Sequence, residues 1–273
     1  MSKVRCLSRL ILCADDFAFS RGVSETIAAL ARDGKLNATS CMAIMPGWPV
    51  DSQLLKGLPG HVQIGLHLTL TGERPLTAMP TLAPAGNLPT INALGRLAAG
   101  GRAPLAEIAA EVAAQFDAFV AAVGRPPDFV DGHQHAHALP GIRDIVLTLT
   151  AERAPDAWIR NCRDSLWAML ARPFVGKAIG SAWHSRGLSA AAAAHGLSVN
   201  DSFGGHYDFA RDYASLLPRF LRRPGRVHVV MCHPGAGTRP GDDIAAARPR
   251  EADVLRKSAI ADMAAAEGLA FPA

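Results

Sequence analysis

The sequence predicts an α/β fold, an irregular (β/α) barrel with mostly parallel strands. Three observations carry that expectation. Short apolar runs alternate with longer stretches of helical periodicity, the pattern of a parallel sheet with crossover helices. A chain of 273 residues is long enough to close such a sheet around a core. No G-x-G-x-x-G turn follows the first strand, which weakens the rival, an open doubly wound sheet that binds a dinucleotide. One domain over 1–273 is expected, with irregular insertions at about 69–103 and 161–205.

The elements follow in order. Strands are expected at 9–14 (RLILCA), 39–45 (TSCMAIM), 62–68 (VQIGLHL), 127–132 (PDFVDG), 156–160 (DAWIR) and 226–232 (RVHVVMC). The first helix starts after Ser20, an N-cap type, and stops at Gly34, a C′ type. Residues 69–103, rich in Pro and Gly, form a long irregular excursion of the kind that shapes a binding site on a rigid scaffold. A helix runs from about Pro104 to Val123, with Pro at its start and Gly124 beyond its end. Its residues Ile108, Val112, Phe116, Phe119 and Val123 recur at three and four, one helical face. Residues 161–205 read as helices interrupted by Pro173 and Gly187, and a last helix covers 251–266.

Composition excludes several classes. With 49% apolar and 19% charged residues the chain is globular rather than disordered. The net charge of +4 includes a basic cluster, Arg219 to Arg226, whose one aromatic, Phe220, falls short of the interleaved aromatics of a base-stacking platform. A solvated face, not nucleic acid, is expected there, and peripheral contact with an anionic membrane is compatible with it. Five widely spaced cysteines with no C-x-x-C pair argue against a disulfide framework or a structural zinc site. Buried thiols in a reducing, cytoplasmic setting fit better. The apolar stretch before Asp15 is too short for a signal peptide, and no run approaches the ~20 apolar residues of a membrane span.

In parallel α/β folds, functional groups gather at the C-terminal ends of strands. Asp15 and Asp16 end the first strand, His67 stands near the end of the third, Asp131 and His133 end the fourth, Arg160 the fifth, and His233 follows VVMC. Each has a bland reading: a capped turn, a core histidine, a surface charge. Two adjacent carboxylates at the end of a buried strand, however, repel one another unless something positive lies beside them. Histidines 133, 135 and 137 alternate, so on extended backbone they would share one face, with one as a ligand and the others lining a pocket. One Asp and two His suit a divalent cation with positions open for water and substrate. Metal-assisted hydrolysis follows, with Asp16 as ligand, Asp15 as the unbound base and a histidine opposite as general acid. A metal phosphoesterase is a rival, but the strand ends supply too few bridging carboxylates. A binding module that keeps the pocket without the turnover would have no use for Asp15 beside a full ligand set.

The segments ADDF, GLHL, DGHQHAH and MCHP, in that order over about residues 9–234, resemble the four signature segments of the YdjC-like carbohydrate deacetylases. The resemblance implies an irregular (β/α) barrel that removes an N-acetyl group from an amino sugar with one divalent metal ion, magnesium or zinc. It implies Asp16, His67 and His133 as metal ligands, Asp15 as general base and His233 as general acid. Asp131, His135 and Arg160 would bind substrate or orient the residues in contact with it. WIRNCR, HGLSVNDSFGGHYDF and RVHVVMCHPG look more like the hopanoid-associated branch than the chitooligosaccharide branch. That would make the substrate an N-acetylglucosaminyl lipid and place the protein at the periphery of the inner membrane. One departure is Ala18, where the family commonly has Gly. If the position needs a positive φ, Ala is strained there.

Overall fold

A computed structural model describes residues 8–237 and 239–272. Cys6 lies outside them, and the four described cysteines, Cys13, Cys41, Cys162 and Cys232, are buried free thiols. The strands are β1 (Ser8–Phe17), β2 (Ala38–Cys41), β3 (Gln63–Leu68), β4 (Phe129–Gly132), β5 (Trp158–Ile159), β6 (Ser202–Gly204), β7 (Val227–Cys232) and β8 (Leu269–Ala270). They form one sheet in the order β5-β4-β3-β2-β1-β7-β6, with β8 beside the start of β1, and every pairing is parallel. A bridge between Ile159 and Val199, just before β6, joins the two edges of the curled sheet. This is the irregular (β/α) barrel that the sequence predicts.

Alternation along the strands builds two cores. Leu10, Leu12 and Ala14 of β1 join the large apolar cluster shared with the helices, whereas Ile11 and Cys13 join a smaller cluster with Ala38, Phe129, Trp158, Phe203, Val229 and Met231. The smaller cluster draws on six strands and fills the inside of the curl. It tolerates no extra atom on β3: a Cβ at Gly65 would sit 2.3 Å from the Phe129 ring. On the outside, the helix Arg21–Arg32 buries Val23, Ile27, Leu30 and Ala31, at i, i+4, i+7 and i+8. Its N-cap is Ser20, which accepts from the Val23 amide, a contact worth about 1 kcal/mol. The helix Leu105–Val123 ends at Gly124, whose φ of 82° only glycine adopts without strain.

Several expected boundaries differ. The second strand stops at Cys41 rather than 45, because 42–47 turn to carry the chain into Trp48–Asp51. The excursion 69–103 contains a helix, Ile91–Ala99, capped by Thr90. The expected helix 251–266 is two, Arg248–Lys257 and Ile260–Ala266, parted by Ser258 in extended conformation. Residues 161–205 hold helices Leu166–Ala171, Val175–His184 and Leu188–Ala194, broken around Pro173 and Gly187 as the sequence indicates, but they end in strand β6. Among the described residues no helix is long and apolar enough to cross a membrane.

Candidate active site

A cavity of about 900 Å³ opens over the C-terminal ends of the strands, where Asp15, Asp16, His67, His133, His135 and His233 all line it. Strand period explains most of this gathering. Ile11, Cys13 and Asp15 share the inner face of β1, and His67 is directly paired in register with Asp131 on β4. Asp16 should point the opposite way from Asp15. It does not, because the β1–β2 register breaks between Ala14 and Phe17 and Asp16 takes a φ of 67°. A bulge of this kind re-aims a side chain, and here it turns Asp16 towards the histidines. Ala18, in the same turn, has a φ of 75°, so the strain anticipated at that position is present. Its amide donates to Ser24 Oγ at 3.0 Å.

Asp16 Oδ1 lies 3.4 Å from His67 Nε2 and 3.1 Å from His133 Nδ1. One donor atom from each of the three residues falls within 4.8 Å of the others. His67 Nδ1 donates to Asp131 Oδ1 at 2.7 Å, which fixes the ring and points Nε2 at Asp16. A histidine tied on one nitrogen to a carboxylate and open on the other is how metal-binding imidazoles are commonly held. Ser40 also donates to Asp131 Oδ1. Burial disfavours charge on His67, but the Asp131 carboxylate outweighs it, helped by Asp16, and its pKa is pushed up to about 10. Asp16 is likewise buried, yet hydrogen bonds and charge from His133, with His67 and Arg248, hold its carboxyl well below the usual range. Surroundings that favour a proton on His67 also favour a cation beside it.

Arg160 is fully buried, so it is not a surface charge, and it does not line the cavity. Its guanidinium donates to both oxygens of Asp15, at 2.6 and 2.7 Å, and lies 2.6 Å from Asp131 Oδ2. It thereby fills the space between Cys13, Asp15 and Asp131, a second group whose geometry alone would suit a cation. On the other flank Arg248 donates to Asp16 Oδ2 at 2.9 Å and to Asp242 at 2.8 Å. Four carboxylates, of Asp15, Asp16, Asp131 and Asp242, thus meet two guanidiniums. The uncompensated negative charge is what a divalent cation at Asp16, His67 and His133 would offset.

The three alternating histidines do not share a face. The strand ends at Gly132, residues 133–138 form a helical turn, and Gln134 and His135 adopt left-handed φ of 52° and 60°. His133 therefore turns to Asp16. His135 packs edge-on to Phe203 and His206 with its Nδ1 3.4 Å from Cys162 Sγ. His137 is buried, with Nε2 donating to the Arg160 carbonyl at 2.8 Å. Burial pushes His137 and His206 down to about 4, and it also holds His135 well below the usual histidine range.

His233 reaches the cavity from the end of β7. Its amide donates to Glu251 Oε2 at 2.5 Å, and its ring stands edge-on to Phe209, 5.3 Å between centres. Glu251 also accepts from the Tyr207 hydroxyl, and burial pushes its carboxyl up. Arg248, Glu251 and Tyr207 escaped the sequence reading because none ends a strand. The one available signal was weak: Arg248 and Glu251 stand at i and i+3, one face of the helix that follows MCHP.

A family model described as YdjC-like protein matches residues 9–266. Proteins named chitooligosaccharide deacetylase from Escherichia fergusonii and Proteus mirabilis are each 38% identical, over 146 and 145 residues, covering 53% of this chain and 56% of theirs. The chain so matched spans about half the length of these curated relatives. A crystal structure from Enterococcus faecalis V583, described as a cellobiose-phosphate cleavage protein, superposes over 97% of both chains with a TM-score of 0.72 and 20% identity, a likeness of fold alone. With the family model matching nearly its whole length, the chain belongs to the YdjC-like family.

Proposed function

We propose that this protein hydrolyses the N-acetyl group of an acetylated amino sugar with the help of one divalent metal ion. The observation that carries the reading is the convergence of Asp16, His67 and His133 beside a separate carboxylate, Asp15, in one cavity with His233. The names of the partial relatives support the same chemistry. Asp16, His67 and His133 would hold the ion, zinc or magnesium being the expected choices. When bound, it would polarise the amide carbonyl and acidify a water. Asp15, oriented by Arg160, takes the proton of the attacking water, and His233, seated by Glu251, returns a proton to the departing nitrogen. Acetate and a free amine are the products.

For substrate we favour a lipid-linked N-acetylglucosamine over a chitooligosaccharide, because one helix, Val175–His184, both lines the cavity and exposes large apolar side chains on its other side. The decisive assay strips the protein with a chelator, restores zinc or magnesium, and follows acetate release from an N-acetylglucosaminyl lipid and from chitooligosaccharides, with phosphate release from phosphate esters alongside. Metal-dependent acetate release is expected. Phosphate release without acetate would replace the reading with a phosphoesterase, and tight sugar binding without turnover would replace it with a binding protein.

A further inference from the structure

The helix Val175–His184 is built inside out. Lys177, Gly180, Ser181 and His184, at i, i+3, i+4 and i+7, line the cavity. The opposite side shows Ile179 and Trp183 to solvent at 48% and 67% exposure. Surface helices of water-soluble folds carry polar residues outward. Here the polar residues face in: Lys177 Nζ donates to the Tyr207 carbonyl at 2.7 Å, and Ser181 Oγ lies 2.9 Å from His206 Nε2. The neighbouring helix Leu166–Ala171 repeats the theme with Leu166, Trp167 and Leu170 exposed. Of the nine large apolar side chains exposed among the described residues, five fall in these two helices.

The two helices themselves carry charge of one sign. No Asp or Glu occurs from Ser165 to Asn200. Arg163 and Arg186 are exposed there, and the Arg186 guanidinium sits 5.5 Å from the centre of the Trp183 ring. Tryptophans with leucines, accompanied by arginines and with no acid in either helix, suit the interface of an anionic bilayer, where indole rings sit at headgroup level and phosphates meet the cations. A second copy of the chain is a poorer occupant, since two such faces would bring Arg163 and Arg186 against their own copies with no acid within the two helices to pair them.

We infer that helices Leu166–Ala171 and Val175–His184 form a docking face for an anionic membrane surface, which would set the mouth of the cavity at the level of the headgroups. The inference rests on the lipid-linked reading for its purpose but not for its evidence or its test.

The experiment uses the intact protein with vesicles of phosphatidylcholine alone and of phosphatidylcholine with phosphatidylglycerol. Binding is read by flotation and by quenching of tryptophan fluorescence with brominated lipids. The reporter is selective, because Trp48 and Trp158 are at most 9% exposed whereas Trp167 and Trp183 are about 70% exposed. Binding to the anionic vesicles with quenching is expected, weakened at least about tenfold in a Trp167→Ser/Trp183→Ser double variant that keeps its thermal midpoint. Three results would each overturn the inference: no binding to anionic vesicles, binding undiminished in the double variant, or a stable dimer in which both tryptophans are shielded. Acetate release from a soluble acetylated sugar, measured on the same samples, tests the catalytic reading separately. Its failure would leave the vesicle result standing, and the reverse.

Discussion

Arg248 donates to Oδ2 of Asp16 and leaves Oδ1 as the oxygen facing His67 and His133. The two residues are 232 positions apart, and the contact decides which oxygen of the carboxylate is free. Removing the guanidinium would leave Asp16 and Asp242 buried without their shared cation. Arg248→Met should therefore destabilise the fold by about 3–5 kcal/mol, the range for breaking one side of a buried ion pair. Urea titration of both proteins measures it, and a loss below about 1 kcal/mol would mean that water already solvates this corner.

Asp15→Asn keeps the shape of the side chain and removes its ability to take a proton. Acetate release should fall about 10²–10⁴-fold while metal content is retained. Elemental analysis beside the activity assay separates loss of the base from loss of the ion. Near-normal turnover with the ion retained would assign the base elsewhere.

Ala18→Gly should stabilise the protein. The left-handed φ of 75° costs an alanine roughly 1–2 kcal/mol, and the greater freedom of glycine in the unfolded chain returns about 0.4–1 kcal/mol of that. A net gain of up to about 1.5 kcal/mol is expected, read from the denaturation midpoint. A destabilised variant would show that the buried methyl contributes more through packing than its conformation costs.

His228 should make stability fall in mild acid. Its Nε2 donates to the Phe220 carbonyl and its Nδ1 lies 2.8 Å from Ser202 Oγ, which also accepts from the Gly225 amide. The ring is neutral there, and burial pushes its pKa down to about 3 from 6.5. Below pH 6.5 the unfolded chain binds a proton that the folded one does not. The stabilisation is thus complete above pH 6.5 and is lost as pH falls towards 3, at up to about 1.4 kcal/mol per pH unit. The His228 ring resonance should show no titration between pH 7 and 5 in the folded state, and a midpoint near 6.5 would contradict the assignment.

The architecture was legible because strand alternation and helix capping are local. Ser20, Gly124 and the VVMC run each declare their element within a few residues. The same alternation places Asp15, His67 and Asp131 on the inner face. Asp16 shows where local reasoning stops, since it reaches the histidines only through a bulge that the letters ADDF do not announce. The HQHAH stretch misleads for the same reason: period two holds only while the backbone is extended, and it ends at Gly132. Arg248 and Glu251 act across the fold from a helix with no strand-end signature, so only tertiary packing reveals them. The inverted helix at 175–184 was hidden differently, because a mixed pattern of small, polar and apolar residues does not say which side faces water.

Asn161 and Asn200 supply a last consequence. The Asn200 side-chain amide accepts from the Asn161 backbone N–H at 2.7 Å and donates to its carbonyl at 2.8 Å, standing in for a strand neighbour. This clasp makes the chain entering and leaving the intervening segment adjacent, closing the ring of strands at the foot of the helices that wall the cavity.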